Sequence, residues 1–174
     1  MKSNSFNKYR KNVLGVFIKK QCKCMLDDDI TPKYLCSKTC KTKLPPLVLV
    51  GKRSDFLQWQ FPQGGVDNGE SLEQALRREM KEELSIQSFD IITSNPDPLV
   101  YDFPKNYKDI NNYTGQEQYW FLCQLSDNNT PDLNNAIDKE FIEIKWVNPS
   151  YILNEVVYFK KDVYRKGLEY FNLL

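Results

Sequence analysis

Histidine is absent from this 174-residue sequence. Its absence excludes nucleophilic catalysis by Ser-His-Asp or Cys-His groups and every zinc site with an imidazole ligand. No apolar run approaches the ~18 residues of a membrane span, and the N-terminal segment lacks the apolar core of a secretory signal peptide. We therefore expect a cytoplasmic protein with no membrane partner, whose chemistry depends on carboxylates, Lys, Arg, Tyr, Cys or a metal ion held by oxygen.

A strong net charge is also missing, because 24 basic and 23 acidic residues leave a balance of +1. No global field therefore draws the protein to DNA or to anionic lipid. Residues 1–43 nevertheless hold eleven basic and three acidic residues, a balance of +8. This segment is either simply solvated or steers an anionic substrate. The length and the 41% of apolar residues predict one folded domain over residues 1–174.

Apolar runs and turn residues predict an alternation of strands and helices. The predicted strands are 13–18, 47–50, 58–61, 89–93, 119–125 and 141–147, and the predicted helices are 71–84 and 149–171. The predicted connections are 94–116, 127–138 and a Cys-rich insertion at about 19–46. This order is typical of a mixed α/β or α+β sandwich.

The helix predicted over residues 71–84 carries carboxylates on its apolar face. At 100° per residue its core-facing stripe consists of Leu72, Ala75, Leu76 and Met80. Glu79 and Glu83 fall in the middle of that stripe, and Glu82 falls at its edge. Bare anions there would cost several kcal/mol each, and Arg78, which reaches Glu82 at i+4, does not neutralise three carboxylates. The pattern favours Mg²⁺ or Mn²⁺, with an ion-pair network or a hydrated face as the alternatives.

Gly64 and Gly65 come shortly before this helix and allow close approach of the backbone to a ligand. The segment Gly64-x5-Glu70-x7-Arg78-Glu79-Met80-x-Glu82-Glu83-x-Ser85-Ile86 resembles the Nudix box, G-x5-E-x7-R-E-U-x-E-E-x-G-U, where U is aliphatic. One position departs, because Ser85 stands where the family has the glycine that ends the helix in a left-handed turn.

The resemblance extends beyond the box to most of the chain outside residues 19–46. The matching segments are YRKNV (9–13), WQFPQGG (59–65), YDFP (101–104), GQEQYWFL (115–122), Glu140-Phe141, Trp146 and VVYFK (156–160). They are similar to a Nudix branch that contains bacterial RNA pyrophosphohydrolases and plant-type asymmetric diadenosine tetraphosphate hydrolases. This resemblance implies an α/β/α sandwich around a mixed sheet.

The resemblance also implies Mg²⁺-dependent hydrolysis, with Mn²⁺ as a possible substitute, of a nucleoside diphosphate linked to another group. The implied metal ligands are the Gly64 carbonyl, Glu79, Glu82, Glu83 and Glu140. Arg78 resembles the arginine of the box that orients a glutamate. The general base is one of the four glutamates, and coupled titration of neighbouring carboxylates leaves the choice open.

Substrate contacts follow from the same branch resemblance. Arg10, Arg53 and Lys160 are cations at positions that contact phosphates, with Lys52 as a neighbouring alternative to Arg53. The implied aromatic contacts are a phosphate or base contact by Tyr101 and an adenine stacked between Tyr113 and Phe159. Ordinary packing is the alternative for each ring.

The cysteines of the insertion permit a second metal site. Cys22, Cys24, Cys36 and Cys40 lie within nineteen residues, so they form either a structural Zn²⁺ site or a set of free thiols. Cys123 alternates with other residues in a predicted strand and is expected in the core.

Three functions are compatible with these patterns. The leading hypothesis is hydrolysis of diadenosine tetraphosphate to ATP and AMP, favoured by the YDFP segment and the near-neutral net charge. The alternative substrate is the 5′ end of triphosphorylated RNA, from which pyrophosphate is removed. A third possibility is a non-catalytic Nudix module that only binds nucleotides, against which the intact glutamates argue.

Overall fold

A computed structural model describes residues 8–22, 43–107, 112–126 and 129–174. The strands are β1 (Tyr9–Cys22), β2 (Lys43–Arg53), β3 (Trp59–Gln60), β4 (Gln63–Gly65), β5 (Phe89–Ser94), β6 (Leu99–Asp102), β7 (Gly115–Leu125) and β8 (Phe141–Val147). The helices are α1 (Leu72–Leu84), α2 (Ile152–Glu155) and α3 (Lys161–Tyr170), with single 3₁₀ turns at Pro149–Tyr151 and Tyr158–Lys160. No helix in these ranges is long and apolar enough to cross a membrane.

The strands of the described residues form one mixed sheet with the central order β3-β2-β1-β7-β5. Strand β1 connects its two halves, because Tyr9–Phe17 pair in parallel with β7 and Ile18–Cys22 pair antiparallel with β2. The three remaining strands join at the sides: β4 pairs with β1, β6 with β7 and β8 with β2.

Alternate side chains of β1 point to opposite faces of this sheet. Leu14 and Val16 belong to the hydrophobic cluster that contains α2 and α3, whereas Val13 and Phe17 belong to the cluster that contains α1. All four side chains are completely buried. The sheet therefore has helices on both faces, which confirms the predicted α/β/α sandwich. Cys123 is also completely buried in the α1 cluster, as predicted.

The predicted bounds of the Cys-rich insertion were wrong, because β1 continues to Cys22 and β2 begins at Lys43. The start of β2 was not predicted because residues 45 and 46 are prolines, which are uncommon within strands. They lie at an irregularity in the register, where Lys19 pairs with Leu47 but Gln21 pairs with Leu44. A proline fits such a bulge because no ladder hydrogen bond is required from its nitrogen. The predicted zinc alternative falls on residues 24, 36 and 40 and on the Cys22 side chain, all outside the described part of the chain.

Two other connections differ from the prediction. The loop predicted over 94–116 contains the short strand β6, and β7 begins at Gly115 rather than at 119. The single helix predicted over 149–171 is interrupted at Val156, whose backbone is extended with ψ 150°. Consecutive β-branched residues at 156 and 157 have low helix propensity. The interruption places Val156 in the core and Val157 beside the candidate active site described below.

Helix α1 has well-formed ends. The Ser71 side chain accepts a hydrogen bond from the Gln74 N–H, and the Gln74 side chain accepts one from the Ser71 N–H, which together form a capping box. At the other end Ser85 adopts the left-handed conformation with φ 57°. The Ser85 N–H donates to the Lys81 carbonyl at 3.0 Å. The left-handed turn that the family makes with glycine is therefore kept, with serine in a strained conformation.

We predict that Ser85→Gly raises the free energy of unfolding by about 0.5–1 kcal/mol. Relief of the left-handed strain, about 1–2 kcal/mol, exceeds the entropy that glycine adds to the unfolded chain. Urea denaturation measures the change, and Ser94→Gly is the control because Ser94 has no positive φ. An unchanged midpoint for Ser85→Gly would show that the turn is not strained.

Candidate active site

A cleft of about 590 Å³ lies between β4, the Glu-bearing face of α1 and the segment 156–160. Its acidic lining residues are Asp67, Glu79, Glu82, Asp138 and Glu140, and its basic ones are Arg10, Arg53, Arg78 and Lys160. Cations and carboxylates thus share one concave surface. Such a surface suits a polyanionic ligand that binds together with a metal ion.

Arg78 ties the carboxylates of this cleft to one another. Its Nε and Nη2 donate to the two oxygens of Glu70 at 2.8 and 2.9 Å, and its Nη1 donates to Glu79 at 2.8 Å and to Glu82 at 3.0 Å. Its Nη2 also donates to the Gly65 carbonyl at 2.8 Å. Hydrogen bonds to Glu70 and then to Glu79 raise the pKa of Arg78. Arg78 therefore holds Glu79 and Glu82 in place. The orienting role in catalysis that the resemblance implies for it stays a prediction.

Glu83 lies beneath the cleft and is 1% exposed. Its Oε2 accepts a hydrogen bond from the Gln63 N–H at 3.0 Å, and its Oε1 is buried without a hydrogen-bond partner. Burial, followed by the charges of Glu140 and Glu79, raises the pKa of Glu83 well above its usual value. An unpaired carboxylate oxygen in such a place is costly unless a further cation or donor binds it.

Glu79 packs directly against β4. A Cβ at Gly64 would overlap the carboxylate of Glu79, so the glycine is required for this approach. Burial raises the pKa of Glu79, and the hydrogen bond from Arg78 partly opposes this rise. The apolar stripe of α1 thus carries Glu79 and Glu83 inward, as its periodicity predicts.

The donor set fits a hard divalent cation. In the described part of the chain no three acidic or cysteine side chains are already grouped to hold a metal ion, and Arg78 holds Glu79 and Glu82. Arg78 engages one oxygen of each, however, and Oε1 of Glu83 has no partner. Carboxylate and carbonyl oxygens with no nitrogen or sulfur are what Mg²⁺ or Mn²⁺ prefers.

Glu140 joins the cleft from the loop before β8. It accepts hydrogen bonds from the Arg53 guanidinium and, at 3.1 Å, from the Gln60 side chain. The Gln60 oxygen in turn accepts from Lys160 Nζ at 3.2 Å. This chain of contacts links an acidic residue to two cations, Arg53 and Lys160, that were predicted to contact phosphates.

Lys160 is buried, and its burial, followed by the charge of Arg53, lowers its pKa from 10.5 to about 8. Between these two pH values the unfolded chain therefore binds more protons than the folded chain, so the contribution of Lys160 to the free energy of unfolding rises with pH.

We predict that the free energy of unfolding of the wild type, relative to that of Lys160→Met, rises by about 1–2 kcal/mol from about pH 7.5 to 9.5. Urea titrations in EDTA test this, and parallel pH profiles would contradict it.

Aromatic side chains form one wall of the cleft. Tyr101, Phe103, Tyr107 and Phe159 line it, and the ring centroids of Tyr101 and Phe159 are 5.8 Å apart. The Tyr101 hydroxyl donates to the Gln116 side chain at 2.6 Å. Burial raises the pKa of Tyr101, so the phenol stays protonated. The wall offers apolar ring surface in the same cleft as the basic side chains.

The cleft brings together most of the predicted site residues. Those that line it are Arg10, Arg53, Gly64, Arg78, Glu79, Glu82, Tyr101, Glu140, Phe159 and Lys160, with Glu83 buried beneath. Lys52 and Tyr113 do not line it: Lys52 pairs with Trp59 and Glu143 within the sheet, and Lys8 lies over the Tyr113 ring. The structure therefore does not support the predicted stacking of adenine on Tyr113, whereas Phe159 does line the cleft.

Sequence reasoning missed a set of buried carboxamides in the cleft: Asn12, Gln60, Gln63 and Gln116. Gln118 lies behind them and donates to the Gln63 side chain at 2.7 Å. Polar amides inside otherwise apolar strands were the available signal, because a buried amide needs hydrogen-bond partners.

Comparison with known proteins places this site in a family. The NUDIX domain profile matches residues 39–167. Relatives named RNA pyrophosphohydrolase are 43% identical in Nitratiruptor sp. (70% of this chain, 79% of that protein), 43% in Francisella tularensis (71% and 83%) and 41% in Campylobacter jejuni (71% and 80%). A crystal structure of a C. elegans Ap4A hydrolase binary complex superposes with a TM-score of 0.60, 19% identity and coverage of 95% and 99%, a similarity of fold alone.

The chain therefore belongs to the Nudix family, as the resemblance of its box predicted. It is a Nudix hydrolase acting on phosphoanhydride bonds.

Proposed function

We propose that the protein is an RNA 5′-pyrophosphohydrolase, which removes pyrophosphate from the 5′ end of triphosphorylated RNA. The observation that carries this proposal is the 41–43% identity, over 70–71% of the chain, to relatives of that name. The cleft supports it, because three cations, Arg10, Arg53 and Lys160, line a site of carboxylates and aromatic rings.

The residues have distinct proposed roles. Arg10, Arg53 and Lys160 bind the phosphate oxygens and hold the triphosphate in the cleft. Glu79, Glu82, Glu83 and Glu140, with the Gly64 carbonyl, would hold Mg²⁺. When bound, that ion supplies neutralisation of phosphate charge and a lowered pKa for a coordinated water.

The proposed proton acceptor is Glu83, which is buried beneath the cleft. Burial, followed by the charges of Glu140 and Glu79, favours the protonated form of Glu83. The raised pKa and unpaired Oε1 of Glu83 suit a proton acceptor in a dry site. Arg78 keeps Glu79 and Glu82 in place during this transfer.

Hydrolysis of diadenosine tetraphosphate to ATP and AMP is the second candidate. It is favoured by the aromatic wall, in which Tyr101 and Phe159 offer stacking surface to an adenine. The sequence-based preference for this substrate receives less support from the comparisons than the RNA alternative does, because the Ap4A hydrolase shares only 19% identity.

One assay separates the candidates. The protein is incubated with Mg²⁺ and equal concentrations of either 5′-triphosphorylated RNA or diadenosine tetraphosphate, and the products are resolved by chromatography. Pyrophosphate with monophosphorylated RNA, formed at the higher kcat/KM, supports the proposal. ATP with AMP as the favoured products supports the second candidate, and no turnover of either supports a non-catalytic module. A Glu79→Gln, Glu83→Gln double variant purified in parallel controls for contaminating hydrolases.

A further inference from the structure

Phe56 is an exposed aromatic residue at the edge of the cleft. It lines the cleft and is 61% exposed. Single exposed apolar side chains are common and need no explanation. Among the exposed large hydrophobic side chains that the structure describes, however, Phe56 and Tyr107 are the two that line the cleft, and both are aromatic.

The turn between β2 and β3 holds Phe56 in place. The Arg53 N–H donates to the Gln58 carbonyl at 2.9 Å, and the Phe56 N–H donates to Oδ1 of Asp55 at 2.8 Å. The Arg53 guanidinium donates to both oxygens of Asp55, at 2.7 and 2.6 Å. The backbone that carries the ring is therefore ordered before a ligand arrives, which lowers the entropic cost of binding.

Phe56 also lies next to a cation of the proposed phosphate site. The Arg53 guanidinium is 5.9 Å from the centre of the Phe56 ring and contacts Glu140 on the cleft side. A phosphate-binding cation beside an exposed flat ring matches the chemistry of a nucleotide, in which a phosphate and a base are a few bonds apart. A base stacked on Phe56 would lie at the solvent-exposed edge of the cleft, whereas a base at Tyr101 would lie in its buried part.

We propose that Phe56 is a stacking platform for a nucleobase of the RNA substrate beyond its first nucleotide. This inference rests on the proposed function, because it requires a polynucleotide that leaves the cleft past the phosphate site. Phe56 acts on substrate binding, and the chemistry at the triphosphate proceeds without it. Stacking tolerates any base, so the platform selects for the presence of a second or third base rather than for its identity.

The test compares Phe56→Ala with the wild type on two substrates. One is a 5′-triphosphorylated RNA trinucleotide, and the other is the same molecule with abasic second and third positions. We expect kcat/KM on the trinucleotide to fall about 5- to 150-fold, mainly through KM, and kcat/KM on the abasic substrate to stay within about 2-fold. Phe56→Trp should restore the activity on the trinucleotide.

Leu57→Ala is the matched control, because Leu57 is 58% exposed in the same turn but does not line the cleft. This substitution should leave kcat/KM on both substrates unchanged. Equal losses on both substrates, or no loss on the trinucleotide, would overturn the proposal while the wild type still cleaves RNA. A wild type that cleaves diadenosine tetraphosphate but not RNA would overturn the proposed function and this inference together. Thermal melts establish that the variants are folded.

Discussion

Replacing Glu83 by glutamine is expected to lower kcat by about 10²- to 10⁴-fold on the preferred substrate, the range typical for loss of an acid–base group. Glutamine keeps the size of the side chain and an oxygen that accepts the Gln63 N–H, now 3.0 Å from Oε2. It removes the negative charge and the proton-accepting capacity of Oε1, which is buried without a partner. Steady-state kinetics over a range of Mg²⁺ concentrations measure the effect.

The fold of this variant should survive. Burial and nearby carboxylates raise the pKa of Glu83 above its ordinary value of 4.5, so the folded state binds this proton more tightly than the unfolded state. The wild type therefore loses the corresponding stability as pH rises from about 4.5, whereas glutamine does not titrate. Relative to that of the wild type, the free energy of unfolding of Glu83→Gln should therefore increase as the pH rises above about 4.5.

Glu73→Gln is the matched control on the same helix. Glu73 is exposed, pairs with Arg77 at i+4 and does not line the cleft. Its kcat should match that of the wild type. Wild-type turnover in Glu83→Gln would remove Glu83 from the reaction, and an equal loss in both variants would trace the effect to α1 as a whole.

The centre of the site could be predicted from the sequence because helix geometry fixes it. A period of 3.6 residues places Glu79 and Glu83 on the stripe of Leu76 and Met80, and these side chains are buried in the structure. The α/β/α layering followed from the order of strands and helices together with the family resemblance.

The parts of the fold and site that could not be predicted from the sequence depend on contacts between distant segments of the chain. Nothing local to Glu140 shows that its carboxylate meets Arg53, 87 residues away in the sequence. Strand β6 escaped prediction because four residues beside prolines give little periodic signal, and pairing with β7 stabilises it. No sequence pattern indicated a role for Phe56, because its position at the cleft results from the turn that the contact between Arg53 and Asp55 stabilises.

Gly64→Ala is the second substitution with a large expected effect. A methyl group at this position would overlap the Glu79 carboxylate, so either the side chain rotates away or β4 shifts from β1, with which Gly64 pairs at Val13. The carboxylate is the more flexible of the two and should move. Misplacement of a reacting group by about 1 Å costs about 10²-fold in rate, and we expect kcat/KM to fall by about this factor. The Mg²⁺ concentration for half-maximal activity should rise with it.

Gly69→Ala separates this local displacement from a general effect of adding a methyl group. Gly69 has φ 85° and nothing within 4 Å of an added Cβ, so alanine strains the backbone without contacting the site. It should lower the free energy of unfolding by about 1 kcal/mol and leave kcat/KM unchanged. Gly64→Ala should show the opposite pattern, with lost activity and a smaller loss of stability. Normal activity and normal Mg²⁺ dependence in Gly64→Ala would show that the contact between Gly64 and Glu79 does not position the carboxylate for catalysis.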